Sequence, residues 1–239
     1  MMNSFLDRLR IVLCRPEGAI NVGAVCRSMK TMGIAELALI SPAELDKNEV
    51  YKMAIHARDI YDSSLVYAEL EGALRDTVLA AGITRRRGVR RKWSSMPPEV
   101  LARKIASSGD GKCAIVFGNE KSGLSDRELS HCNIACHIPS SPDFPSLNLS
   151  HAVQVVAAYL YRESIGDYDG AFTPIPRDQI DTLVATIHDA LDALNYFKTA
   201  DRQHTRIFFR DILTRSQLSR KEAKHLEKIF RKLQYLQTA

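Results

Sequence analysis

The chain has 239 residues, 45% of them hydrophobic and 26% charged, with a formal net charge of +5 at pH 7. That is globular composition, long enough to bury a sizeable core, and it excludes a disordered polymer or a scaffold that needs disulfides or a metal to fold. No stretch of eighteen apolar residues offers a membrane span, and residues 1–10 lack the apolar centre of a signal peptide, so a cytoplasmic location is expected.

Ile11-Val12-Leu13-Cys14 predicts a strand. Residues 21–32 follow with helical spacing, with Asn21 as a candidate cap and Gly33 as the stop. Leu37-Ala38-Leu39-Ile40 predicts a second strand, closed by Ser41-Pro42. Residues 49–60 and 66–75 read as helices, and 77–81 as a buried strand. Residues 97–107 form a helix with prolines in its first turn. Residues 113–117 and 134–138 are two more apolar strands, and 149–163 a long, mostly apolar helix. Continuous apolar strands alternating with helices indicate an α/β fold, a parallel sheet covered on both faces. Ligands bind such sheets beyond the carboxyl ends of the strands. The loops after Cys14, Ala81, Phe117 and Ile138 are therefore the places to look.

The composition then shifts. Residues 166–176, with Gly166, Gly170, Pro174 and Pro176, read as a linker. Beyond it Ile180, Leu183, Val184, Ile187, Leu191 and Leu194 keep a helical stripe. Ser219-Arg220-Lys221-Glu222 is a capping-box pattern, followed by the stripe Leu226, Ile229, Phe230, Leu233, Leu236. The exposed faces of these helices are expected to be basic, from Arg202, Arg206, Arg210 and Arg215 to Arg220, Lys221, Lys224, Lys228, Arg231 and Lys232.

Arg85, Arg86, Arg87, Arg90, Arg91 and Lys92 put six cations into eight positions, with Trp93 directly after. Like charges this dense repel one another, which suggests a phosphate partner; a solvated loop is the alternative. The five cysteines are odd in number and hold no CxxC pair, so buried free thiols are expected. Cys132 and Cys136 flank Asn133-Ile134-Ala135, and on a strand they share one face. His131 and His137 would have to complete a zinc shell from the other face, so no metal is expected.

Three loops carry unusual residues. The first is Asn21-Val22-Gly23 through Arg27, where Gly23 permits close approach and Arg27 shares a helix face with Lys30. The second is Phe117-Gly118-Asn119-Glu120-Lys121-Ser122-Gly123-Leu124, which matches neither the dinucleotide nor the P-loop spacing. The third runs from Ile138-Pro139 through Pro142 and Pro145 to Ser146-Leu147-Asn148-Leu149-Ser150, stiffened by its prolines and ending at a helix start. Each alone could be a turn or a cap.

In this order the three loops resemble the SPOUT superfamily of RNA methyltransferases, in the branch that modifies ribose 2′-hydroxyls. The likeness covers roughly residues 8 to 163. With Met29-Lys30-Thr31-Met32-Gly33 and the helical C-terminal part, the chain is most similar to the TrmJ-type tRNA methyltransferases. One departure stands at Gly82-Ile83-Thr84-Arg85-Arg86, where the family commonly has Gly-Thr-Thr-Ala-Arg.

The resemblance implies a parallel sheet with a C-terminal trefoil knot over residues 1–165, a linker at 166–176 and a helical extension at 177–239. It implies S-adenosylmethionine as cofactor, held near Ala81, Gly82, Ile83, Gly118, Asn119, Glu120, Ile138, Ser146, Leu147 and Asn148. It implies tRNA as partner, nucleotide 32 of the anticodon loop as target, and a homodimer whose first loop completes the partner's site. Arg27 is the expected centre, with Ser146 orienting the hydroxyl and Asn21 fixing loop or ribose. Guanidinium stays protonated far above neutral pH, so Arg27 is read as a positioner and charge stabiliser rather than a base. The alternatives are another tRNA or rRNA ribose, or a non-catalytic RNA-binding protein.

Overall fold

The computed structural model describes residues 5–85, 95–165, 173–197 and 202–235. Seven strands form one sheet: β1 Leu9–Cys14, β2 Glu36–Ile40, β3 Leu65–Tyr67, β4 Thr77–Ile83, β5 Ser95–Met96, β6 Lys112–Phe117 and β7 Ile134–Cys136. Their order is β3-β2-β1-β6-β4-β7-β5, and every pairing is parallel. The helices of this part are α1 Ala19–Thr31, α2 Lys47–Ala54, α3 Arg58–Asp62, α4 Leu70–Leu74, α5 Pro98–Ala106, α6 Asp126–Ser130 and α7 Leu149–Ser164.

Alternate residues of the strands feed two cores. Leu9, Ile11 and Leu13 of β1 join Val22, Met29, Leu101, Ile105, Val153 and Val156 beneath α1, α5 and α7. Val12 and Cys14 join Leu70, Leu74 and Leu129 on the other face. Burial on both faces is why these strands read as unbroken apolar runs. Gly23 meets α2 so closely that a Cβ there would lie 2.3 Å from the Val50 carbonyl oxygen. Its smallness serves helix packing.

Several elements differ from the pattern. The predicted helix 66–75 is an edge strand, β3, followed by the short α4, because three apolar residues fit either period. The predicted helix 49–60 breaks at Ile55, whose φ of +53° cannot continue an α-helix, and resumes through a 3₁₀ turn, Ile55–Ala57. The two-residue β5 and the five-residue α6 are too short to show a period. Cys132 precedes β7 and enters the core under α4 and α6, whereas Cys136 enters the opposite core. The expected common face is therefore wrong: β7 begins only at Ile134. All five cysteines are buried and none forms a disulfide, and burial pushes the thiols of Cys26 and Cys136 up to about 12.

Three further helices, α8 Arg177–Ala193, α9 Arg202–Arg215 and α10 Arg220–Tyr235, share a separate apolar core of Ile180, Leu183, Val184, Ile187, Leu213 and Leu218. The predicted capping box is present: the Ser219 amide donates to Glu222 at 2.8 Å, and the Glu222 amide donates to the Ser219 hydroxyl at 3.2 Å. Arg177 fastens this unit to the sheet domain by donating to the His131 carbonyl. The expected basic faces are only partly free, because Arg202 pairs with Asp192, Arg210 with Asp181 and Arg231 with Glu227.

At the amino ends of the strands lies a charge cluster that periodicity does not reveal. Arg10 is 3% exposed and holds Glu36 at 2.5 Å and Asp76 at 2.7 Å, and Lys112 reaches both acids. Partial burial disfavours the Asp76 charge, but the Arg10 hydrogen bond and charge outweigh it and hold the carboxyl below its usual range. The unfolded chain takes up that proton at higher pH. This contribution to stability is therefore full above the ordinary aspartate range, about 4, and is lost as pH falls through the lower folded value. Urea melts of wild type and Asp76→Asn are expected to differ at pH 7 and to converge toward pH 2. A gap that stays constant across that range would contradict the assignment.

Candidate active site

A cleft of about 170 Å³ opens beyond the carboxyl ends of β4, β6 and β7. This is where a doubly covered parallel sheet presents its loops. The turn after β6 forms one wall. Gly118 is obligatory there, because a Cβ would lie 2.0 Å from the Gly123 backbone. That close approach closes a loop bridged between Asn119 and Gly123.

Asn119 and Glu120 turn the loop toward the first one. The buried Asn119 amide donates to the Arg15 carbonyl at 2.7 Å and to Glu17 at 3.0 Å, while its oxygen accepts from the Lys121 amide at 2.9 Å. The Glu120 carboxylate accepts from the backbone amides of Glu17 at 3.2 Å and Gly18 at 3.0 Å. Gly18 has no side chain to cap α1, so Glu120 supplies an anion at that helix N-terminus from another loop.

Asn21 is not the helix cap that the pattern suggested. The helix begins at Ala19, and Asn21 sits in its first turn. Its amide donates to Glu120 at 3.2 Å, and its oxygen accepts from the Asn148 amide at 3.0 Å. Asn148 in turn caps α7, accepting from the Ser150 amide at 2.9 Å. One chain of side-chain hydrogen bonds thus joins all three loops.

Of the candidate residues, Ile83, Gly118, Asn119, Glu120, Ile138, Ser146 and Leu147 line the cleft, together with Thr84 and Arg85. Ala81 and Gly82 do not. Ala81 is fully buried in the sheet, and the space a Gly82 Cβ would need is taken by Leu129 and Cys132. Asn148 and Asn21 stand behind the wall as braces. Arg27 is exposed on α1 and lines a different groove, with Ser28, Thr31, Ser150, His151 and Gln154. Lys30 turns to Asp59 instead, at 2.8 Å. Arg86, Arg87, Arg90, Arg91 and Lys92 lie outside the described residues.

Sequence reasoning passed over Arg15. Its φ of +52° ends β1 sharply, and its guanidinium grips Glu128 through two bonds of 2.9 Å. Partial burial opposes the Glu128 charge, but Arg15 and the Ser125 amide hold its pKa below the usual range. The pattern Ser125-x-x-Glu128 is a capping box and was the available signal.

Comparison with known proteins agrees with this layout. Residues 8–158 match the SpoU rRNA methylase family. The chain is 29% identical over 227 residues to the tRNA (cytidine-2′-O-)-methyltransferase TrmJ of Methanocaldococcus jannaschii, across 93% of this chain and 98% of that one. It is 34% identical over 178 residues to the tRNA (cytidine/uridine-2′-O-)-methyltransferase TrmJ of Salmonella typhimurium, across 72% and 73%. The crystal structure of TrmJ from Z. mobilis ZM4 superposes with a TM-score of 0.76 at 25% identity, across 94% and 98%. The seven-stranded parallel sheet, the cleft at its strand ends and these matches agree: the chain belongs to the SpoU rRNA methylase family and, within it, groups with the TrmJ enzymes.

Proposed function

We propose that this protein transfers a methyl group from S-adenosylmethionine to a ribose 2′-hydroxyl of tRNA, at nucleotide 32 of the anticodon loop, working in the cytoplasm as a homodimer. The observation that carries the reading is the hydrogen-bonded chain Glu120–Asn21–Asn148, which braces the three family loops around one cleft. The names of the TrmJ relatives support tRNA and the 2′-oxygen.

The cleft suits the cofactor. Ile83, Ile138, Leu149 and Ala152 offer an apolar slot for a flat base, while the 118–123 backbone and Ser146 offer polar partners for a ribose and an amino-acid tail. When bound, the sulfonium supplies an already activated methyl group. The chain has three tasks left: to align the 2′-oxygen, to exclude water and to remove one proton. Ser146 is exposed at the cleft wall and is placed to orient the hydroxyl.

Within one chain Arg27 lines a groove of its own and not the cleft, which supports a site shared between two. The surface near α1 and the third loop carries exposed Ile20, Phe144 and Leu147, apolar area suited to a second copy. In that arrangement Arg27 of one subunit reaches the other's cleft, where it holds the phosphate beside the target and stabilises the developing alkoxide. The trefoil knot in which the family threads its third loop belongs to the same proposal.

Labelled cofactor with bulk tRNA should yield methylated tRNA, and digestion should place the label on a 2′-O-methyl nucleoside at position 32. Binding without incorporation would sink the enzymatic reading, and a label elsewhere would move the target. Arg27→Ala should lower kcat by about 10²-fold or more, with cofactor Kd by calorimetry changed less than about twofold. Near-normal turnover would remove Arg27 from the centre. Neutralising Arg85, Arg86, Arg87, Arg90, Arg91 and Lys92 should weaken tRNA binding and flatten its dependence on salt. An unchanged salt slope would exclude them as phosphate contacts.

A further inference from the structure

Methyl transfer to a hydroxyl releases a proton, and Arg27 is the wrong group to take it. We infer that His151 accepts that proton, working beside Arg27 in the groove between α1 and α7; the inference rests on the methyl-transfer reading above.

The groove is built by two registered helix faces. Ala24, Arg27, Ser28 and Thr31 come from α1, at the spacing of one helical face, and Ser150, His151 and Gln154 come from α7. Met53 of α2 also lines it. The Asn21–Asn148 hydrogen bond of 3.0 Å fixes the two faces relative to each other, nearly two turns before Arg27 and about one before His151. Arg27 is the only charged residue lining the groove among the described residues. The imidazole is exposed, so it is open to an incoming ribose.

The other histidines stand elsewhere. His131 is held by Arg177 and Glu71, His137 by Ser95, and His188 stacks on Phe197. His56 lines a separate depression with Ile55 and Asp59, and His204 and His225 lie on α9 and α10. Only His151 joins Arg27, and histidine is the side chain that ordinarily exchanges a proton near neutral pH.

The step balances. The O–H bond of the 2′-hydroxyl breaks and its proton passes to an unprotonated imidazole nitrogen of His151. The oxygen pair forms the new O–C bond, while the old S–C pair stays on sulfur, leaving a neutral thioether. His151 then returns its proton to solvent. Carried on the same groove as Arg27, it is delivered to the same reacting centre.

The test compares His151→Gln with wild type as full-length protein on tRNA, with rates taken from pH 5.5 to 9. In wild type, kcat should rise through the range in which histidines titrate. In the variant, kcat at pH 8 should fall about 100-fold. The rise should vanish, with KM for tRNA changed less than about threefold. Independently of turnover, the His151 ring signal in NMR, identified by its absence in the variant, should shift when tRNA and S-adenosylhomocysteine are added together. An unaltered kcat and pH profile, or an unmoved ring signal, would overturn the assignment while leaving methyl transfer intact. A raised KM with kcat preserved would also overturn it and make His151 a phosphate contact. Absence of transfer by the wild-type protein would overturn the parent reading and this one with it.

Discussion

The Glu120 carboxylate sits at the amino end of α1, where it accepts the Glu17 and Gly18 amides and the Asn21 side chain. A helix start leaves backbone donors without partners, and a nearby anion also complements the helix dipole, an effect of about 0.3–1 kcal/mol at exposed sites. Here the anion comes from a loop about one hundred residues further along the chain. Helix α1 therefore keeps its capped start only while the β6 loop keeps its turn, and that turn depends on Gly118. Asn21 passes the constraint on to Asn148 and so to the start of α7. Three loops that could each be mobile become one frame, which is what alignment of two reacting groups demands.

The two ends of the sheet divide the work. At the amino ends, Glu36, Asp76 and Lys112 gather around Arg10, the one buried member of the cluster, and the four satisfy one another. A buried arginine needs such partners, because an unpaired charge in the interior is strongly unfavourable. At the carboxyl ends the polar groups are instead spent on positioning loops, and the cleft keeps an apolar floor with a polar wall. Arg15 belongs to this end: its left-handed backbone turns the chain out of β1, and Glu128 fixes its side chain.

The helical extension has its own core but is not merely tethered. Arg177 donates to the His131 carbonyl, and the Asp110 amide donates to Thr173 at 2.9 Å. Burial lowers the pKa of both Arg177 and His131, so this seam holds partly desolvated polar groups. Within the extension, acids neutralise Arg202, Arg210 and Arg231, whereas Arg206, Arg220, Lys221, Lys224 and Lys228 face solvent. The basic surface is narrower than a count of cations suggests, and its exposed part is the part available to a polyanion.

The linear pattern alone determined the parallel sheet, its strands β1, β2, β4, β6 and β7, the long α7 and the helical end, because burial on both faces writes unbroken apolar runs and helices write a 3.6-residue period. It also marked the three loops, since turn residues and polar side chains after apolar strands stand out by composition. Short elements such as β3, β5 and α6 carried no period to read. Only the tertiary structure decided that Asn21 braces rather than caps, that Cys132 and Cys136 enter opposite cores, and that Arg27 lines a groove other than the cleft. The bracing by Asn21 depends on contacts between residues about one hundred or more positions apart, with Glu120 and with Asn148. A periodic pattern reports which face a residue turns to the core, and it holds no information about which distant loop that face will meet.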